Sequence, residues 1–223
     1  MGVVMKQKKV LALAGALLVT LGVIVFSLNN HALKKASSLS YCSQTDASAH
    51  KPISVQPPKV LSHTDKDFVL NTNCGPIAFT ADGIKAPVTV TVMSTLAKAG
   101  YFDNSLCHRL TTAGIWVLQC GDPTASGSGG PAFNYVDENL PTGIAQNDYP
   151  AGTVAMANSG PHTNGSQFFL VYQNTTLPPN YTIWGHITRG LNIVQGIAAL
   201  GTTNGSGDGS PKQPIAIQSV SVK

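Results

Sequence analysis

Charge is scarce in this chain. Asp, Glu, Lys and Arg together make up 11% of its 223 residues, well under half the usual share of about 25%. Arginine is rarer still, confined to Arg109 and Arg189, and no acid precedes Asp46. The formal charge of +4 comes from the N-terminal end: Lys6, Lys8, Lys9, Lys34 and Lys35 supply five of the 14 positives, which leaves nine bases against 10 acids beyond them. A body so near neutrality carries no basic stripe, which excludes DNA or RNA as a partner. No CxxC or HxxxH pair occurs, so zinc-ligand spacing is missing and neither metal nor cofactor is expected. No G-x-S-x-G elbow occurs either, and the Ser-Gly pairs read as turns rather than as the nucleophile of a secreted hydrolase.

What the chain does have begins with apolar residues 10–28, VLALAGALLVTLGVIVFSL, which run without a charge. At ~1.5 Å per residue a helix of that length covers ~28 Å, close to a bilayer core. Asn29, Asn30 and His31 follow directly, where a cleaved signal peptide would carry small residues. The sequence therefore predicts a transmembrane signal anchor over 10–28, behind a short basic cytoplasmic N-terminus at 1–9. A single-pass protein of the cell membrane follows, with its remaining domain extracytoplasmic, or secreted if the segment is cleaved. Residues 29–62, rich in Ser, Ala, Lys and Pro and lacking either period, read as a flexible tether.

The segment 63–223 is different. From about Asp67, short apolar runs alternate with Gly, Pro, Asn and Asp, the spacing of a mainly β barrel or sandwich. The predicted strands are 68–71, 77–80, 107–110, 116–119, 153–157, 168–172, 182–187 and 215–222, with a helix over 192–200 stopped by Gly201. Val88, Val90 and Val92 alternate like a strand, and periodicity alone leaves that stretch open. Cys42, Cys74, Cys107 and Cys120 allow three complete pairings in an oxidising environment.

Two stretches carry chemistry: CHRLTTAGIWVLQCGDP from Cys107 and GTVAMANSGPHTNGSQFFLVY from Gly152. Together they resemble the cyclophilin family of peptidyl-prolyl isomerases, marked by a His-Arg strand leading to a Gln strand, and an Ala-Asn loop leading to Asn-Gly-Ser-Gln-Phe-Phe. FDN at 102–104, GSGGP at 127–131, DEN at 137–139 and GLNIV at 190–194 extend the likeness in family order. With the apolar N-terminal run, it points to a bacterial, membrane-anchored form. The resemblance implies a closed eight-stranded antiparallel barrel capped by two helices, preceded by the transmembrane helix, with the first capping helix after Pro87. It also sets Cys107 and Cys120 on paired strands, where a bridge is allowed, while the three pairings stay open.

By the same resemblance Arg109 and Gln119 are the catalytic pair. A guanidinium is always charged and holds its donors in a rigid plane. Trp116, Val117, Ala157, Asn158, Gln167, Phe169, Leu177 and Tyr181 fall at substrate-binding positions. Ala157 and Asn158 would pair with the peptide backbone before proline, and Phe169 would floor the proline pocket while Phe168 points into the barrel. His108 reads as a core histidine rather than a base. Thr176 and Tyr181 stand where the family often has Trp and His, a departure that bears on its cyclic-peptide inhibitor. The implied function is isomerisation of X-Pro bonds in exported proteins, as a monomeric folding helper for Pro-containing polypeptides. The alternative is a membrane-tethered module that binds Pro-peptides with little catalysis.

Overall fold

A computed structural model describes residues 39, 41–143 and 146–223. The basic N-terminus predicted at 1–9 and the membrane segment predicted at 10–28 lie outside the described residues. Among the described residues no helix is long and apolar enough to cross a membrane. The membrane-anchored form, the membrane as a partner and a single-pass location are corrected on that ground.

The elements in chain order are β1 (Lys66–Thr72), β2 (Gly75–Ala81), α1 (Pro87–Lys98), β3 (Ser105–Leu106), β4 (Arg109–Thr111), β5 (Val117–Cys120) and β6 (Thr153–Met156). There follow β7 (Phe168–Val171), β8 (Ile183–Arg189), α2 (Leu191–Ala199), β9 (Asp208–Gly209) and β10 (Ala216–Val222). The strands form one sheet in the order β3-β10-β1-β2-β8-β6-β7-β5-β4-β9, and each neighbouring pair is antiparallel. This corrects the expected closed eight-stranded barrel: among the described residues the sheet is open, has 10 strands, and is capped by two helices.

The reason lies at Cys107 and His108. One strand was expected over 107–110, but the chain breaks there into β3, which pairs with β10, and β4, which pairs with β5 and β9. No ladder runs across the break, so β3 and β9 remain edges. Both are two residues long, short enough to offer little template for edge pairing. Shifts of register between Asn71 and Thr72, Ala78 and Phe79, and Val154 and Ala155 curl the sheet, as bulges do.

Alternation of side chains sends one set inside the curl. Phe68 and Phe79 stack at 5.0 Å and meet Trp184 edge-on at 5.3 and 5.1 Å, with Phe168 6.1 Å from the same indole. Such contacts add to the burial energy of the rings. Val90, Met93 and Leu96 of α1 and Ile193, Val194 and Ile197 of α2 close this core. The opposite face of β5, β7 and β6 carries a second apolar cluster of Val117, Tyr149, Ala155, Phe169, Val171 and Leu177.

Helix α1 is built against local propensity, since its β-branched residues favour strands. Pro87 suits the first turn, where its missing N–H costs nothing. No side chain next to the helix caps it. Instead Glu138, far along the chain, accepts from the N–H groups of Val88 and Thr89 at 3.0 and 2.8 Å and from Thr89 Oγ1 at 2.9 Å. A carboxylate there also complements the helix dipole. Gly100, at φ 75°, ends the helix: it donates to Ala97 O while Tyr101 donates to Leu96 O, which satisfies the last carbonyls.

Two disulfides are present, Cys42–Cys74 and Cys107–Cys120. The first fastens the segment 41–62, which has no regular element, to the turn between β1 and β2. Ser43 N–H donates to Asn73 O at 2.8 Å, and further along Ser62 N–H donates to Thr91 Oγ1 at 2.8 Å.

Candidate active site

Four adjacent strands, β4, β5, β7 and β6, bring a row of residues into direct register. Arg109 faces Gln119, Gln119 faces Phe169, and Phe169 faces Ala155. Paired residues share a face of the sheet. The row therefore runs from a cation, through an amide, onto the second apolar cluster.

Polar side chains along this row form a relay. Arg109 Nη1 donates to Gln119 Oε1 at 3.2 Å, Gln119 Nε2 donates to Gln167 Oε1 at 2.8 Å, and Gln167 Nε2 donates to Gly129 O at 2.8 Å. A guanidinium can only donate and a carbonyl can only accept, so the two ends dictate how both amides are turned. Gly129 is held in turn by Asp122, whose carboxylate is buried and accepts the N–H groups of Thr124, Ser126, Gly127 and Gly129. Burial pushes the Asp122 carboxyl up, but the hydrogen bonds from Thr124 and from Gly129 and Gly127 outweigh it and hold the group below its ordinary value.

Arg109 is also forked by Asp208 of β9: Nε donates to Oδ1 at 2.9 Å and Nη2 to Oδ2 at 2.7 Å. This bond raises the arginine's pKa further and lowers that of Asp208. Three of the five guanidinium hydrogens are thereby engaged. Among the described residues the other two have no partner, which leaves them for a ligand.

The apolar part of the cleft lies alongside. Phe169 is buried, and its ring meets Tyr181 edge-on at 5.6 Å. Leu177 and Val117 pack in the same cluster, with Ala157 and Tyr181 partly buried against it. Tyr149 holds Tyr181 from beneath, donating its hydroxyl to Tyr181 O at 3.0 Å and accepting Tyr181 N–H at 3.2 Å. Burial raises the Tyr149 hydroxyl to about 12, so it stays protonated. Beyond Gln119, a cavity of about 380 Å³ is lined by Gly129, Asn134, Ala157, Asn158 and Gln167. Ala157 N–H donates to Gln167 O at 2.9 Å, one residue beyond the β6–β7 ladder and in its register, and Asn158 follows on the cavity wall.

Of the residues singled out in the sequence, Arg109, Gln119, Gln167, Phe169, Val117, Ala157, Asn158, Leu177 and Tyr181 gather along this cleft. Trp116 does not. It precedes β5 and packs on the main core, 6.4 Å from the Tyr172 ring, because neighbours along an extended chain point to opposite sides. His108 is half-buried, and among the described residues neither ring nitrogen has a hydrogen-bond partner. Burial lowers its pKa and keeps it neutral.

Asp208 and Tyr149 were missed. Asp208 is the only acid after Asp148, a signal that could have marked it in a loop of Gly, Ser and Asn. Tyr149 gave no comparable signal.

A family model described as cyclophilin type peptidyl-prolyl cis-trans isomerase matches residues 68–222. The probable peptidyl-prolyl cis-trans isomerase B of Mycobacterium leprae is 44% identical over 159 residues, which cover 67% of this chain and 54% of that protein. Its namesake in Mycobacterium tuberculosis is 43% identical, with 67% and 52% covered. The chain thus spans about half the length of these curated relatives. A solved cyclophilin type isomerase from Cryptosporidium parvum aligns with a TM-score of 0.60 at 25% identity, over 72% of this chain and 98% of that one. The same protein has been solved in the presence of the dipeptide Ala-Pro. Because the likeness reaches from mycobacteria to Cryptosporidium, it does not mark the specifically bacterial form expected from the sequence. The chain belongs to the cyclophilin-type peptidyl-prolyl cis-trans isomerase family.

Proposed function

We propose that this chain catalyses cis–trans isomerisation of X-Pro peptide bonds, with Arg109 as the group that lowers the barrier. The observation that carries the reading is a guanidinium that, among the described residues, has two uncommitted N–H groups at the edge of an apolar cleft. Rotation about the amide must overcome ~18–20 kcal/mol of lost resonance. As the bond twists, the nitrogen lone pair becomes localised and accepts a hydrogen bond. A fixed, charged donor stabilises that state more than either planar one, and each ~1.4 kcal/mol of preference gives about tenfold in rate. No nucleophile is needed.

Gln119 shares this role by holding the guanidinium. Phe169, Val117, Leu177 and Tyr181 take the proline ring, while Ala157, Asn158 and Gln167 take the backbone before it. Trp116 acts from behind, by supporting β5. A short Ala-Pro peptide is a fitting first substrate, given the dipeptide present with the Cryptosporidium relative. We further propose that the clients are exported proteins, since the Cys42–Cys74 and Cys107–Cys120 bridges suit an oxidising compartment.

A chymotrypsin-assisted assay on the full chain tests the isomerase reading. The chain should speed cleavage of the cis fraction of an Ala-Pro peptide, and Arg109→Ala should lose most of that effect. An unaccelerated slow phase would overturn the reading.

A further inference from the structure

Asp208 stands on an edge strand of two residues, far in sequence from the groups it touches, and its side chain is 55% exposed. An exposed carboxylate in a loop of Gly, Ser and Asn has every freedom to turn to solvent. This one does not, because its loop is tightly fixed. Thr112 N–H donates to Gly207 O at 2.7 Å and Thr203 N–H to Ser210 O at 2.8 Å. Thr202 Oγ1 donates to Ser206 O at 2.6 Å, and Ser206 N–H donates to Asn204 Oδ1 at 3.0 Å. A Cβ on Gly207 would fall 2.6 Å from that of Ala113, so the loop sits against the β4–β5 connection with no room for a side chain there.

Register does the rest. Asp208 lies directly opposite Thr111, which shares a face of β4 with Arg109, two residues earlier. The carboxylate is therefore the diagonal neighbour of the guanidinium on the cleft face, and it meets the Nε/Nη2 side of the fork with two bonds. Two parallel bonds fix the plane as well as the position of a guanidinium. Gln119 alone, with a single bond to Nη1, leaves rotation about the Cδ–Nε bond open.

We propose that Asp208 is a positioning residue for catalysis, which locks the Arg109 plane so that its two free N–H groups point into the cleft. This rests on the isomerase reading and deepens it. Asp208 touches no substrate. Its removal should alter how well the twisted amide is met and leave peptide binding, which depends on the apolar cluster and the cavity wall, nearly as it was.

The test is Asp208→Asn in the full chain, which keeps the shape but loses the charged fork. Initial rates on an Ala-Pro peptide should show kcat lower by about tenfold with KM within about twofold. A second readout is independent of activity. With two arginines in the chain, a spectrum of 15N-labelled arginine side chains has two Nε–H signals. The Arg109 signal should shift and exchange faster with water in the variant, while that of Arg189 stays in place. Unchanged kcat, or an unchanged Arg109 signal, overturns the positioning role while an active wild-type chain keeps the isomerase reading. An inactive wild-type chain overturns both.

Discussion

Gln119 donates its amide to Gln167 Oε1 at 2.8 Å, and by doing so presents its own oxygen to Arg109. The Arg109 guanidinium and the wall of the neighbouring cavity thus share one directional chain of hydrogen bonds.

Replacing Gln119 with Leu removes both links while keeping an apolar side chain of similar size. Hydrogen bonds to charged groups contribute about 1.5–3 kcal/mol, so kcat/KM should fall by roughly ten- to a hundredfold. Steady-state rates on an X-Pro peptide, with the melting temperature as a control for folding, check this.

Tyr149→Phe deletes one oxygen and strips two backbone groups of Tyr181 of their partner. The loss of stability should be about 1–3 kcal/mol by denaturant titration. Because Tyr181 packs edge-on against Phe169, the KM for peptide should rise more than kcat falls. A variant with wild-type KM would show that the tyrosine pair does not shape the pocket.

Asp122 gives the fold an acid-sensitive point. Its folded pKa is below the ordinary value of 3.8, so its contribution is fully present above that pH and is lost as pH falls through the folded value. Denaturant midpoints should therefore drop steeply below about pH 4. Asp122→Ala should cost about 3 kcal/mol at neutral pH, since it orphans several N–H groups at once, and should flatten the acid slope. An identical slope in both proteins would contradict the assignment.

The Cys107–Cys120 bridge closes a separation of 13 residues, and Cys42–Cys74 one of 32. Loop-closure entropy puts each at about 3–4 kcal/mol. Reduction under native conditions should lower the melting temperature in two separable steps when each pair is replaced by Ser in turn. Loss of the Cys107–Cys120 pair should also slow isomerisation, because it flanks both Arg109 and Gln119.

Much of the site was legible because it is local to hairpins. Arg109 and Gln119 are 10 residues apart on strands that pair, and the alternation of Phe168 and Phe169 told their faces apart. The same alternation sets Trp116 on the main-core side of the chain and Val117 on the other. Asp208 was illegible because its partner is 99 residues away in the chain, and only the sheet brings β9 beside β4. The helix at Val88 to Val92 stayed ambiguous in the local pattern, since its capping carboxylate, Glu138, comes from about 50 residues downstream. Closure of the barrel failed at Cys107 and His108, where the strand pattern continues but the hydrogen-bond ladder does not.

Arg109→Lys probes the account most directly, because it keeps the charge and removes the planar fork. Cis–trans exchange of one X-Pro peptide, followed by NMR without a coupling protease, should be accelerated by the wild-type chain and at least tenfold less by the variant. Equal acceleration by both would contradict donor geometry at Arg109 as the source of catalysis, and no acceleration by the wild-type chain would contradict the isomerase itself.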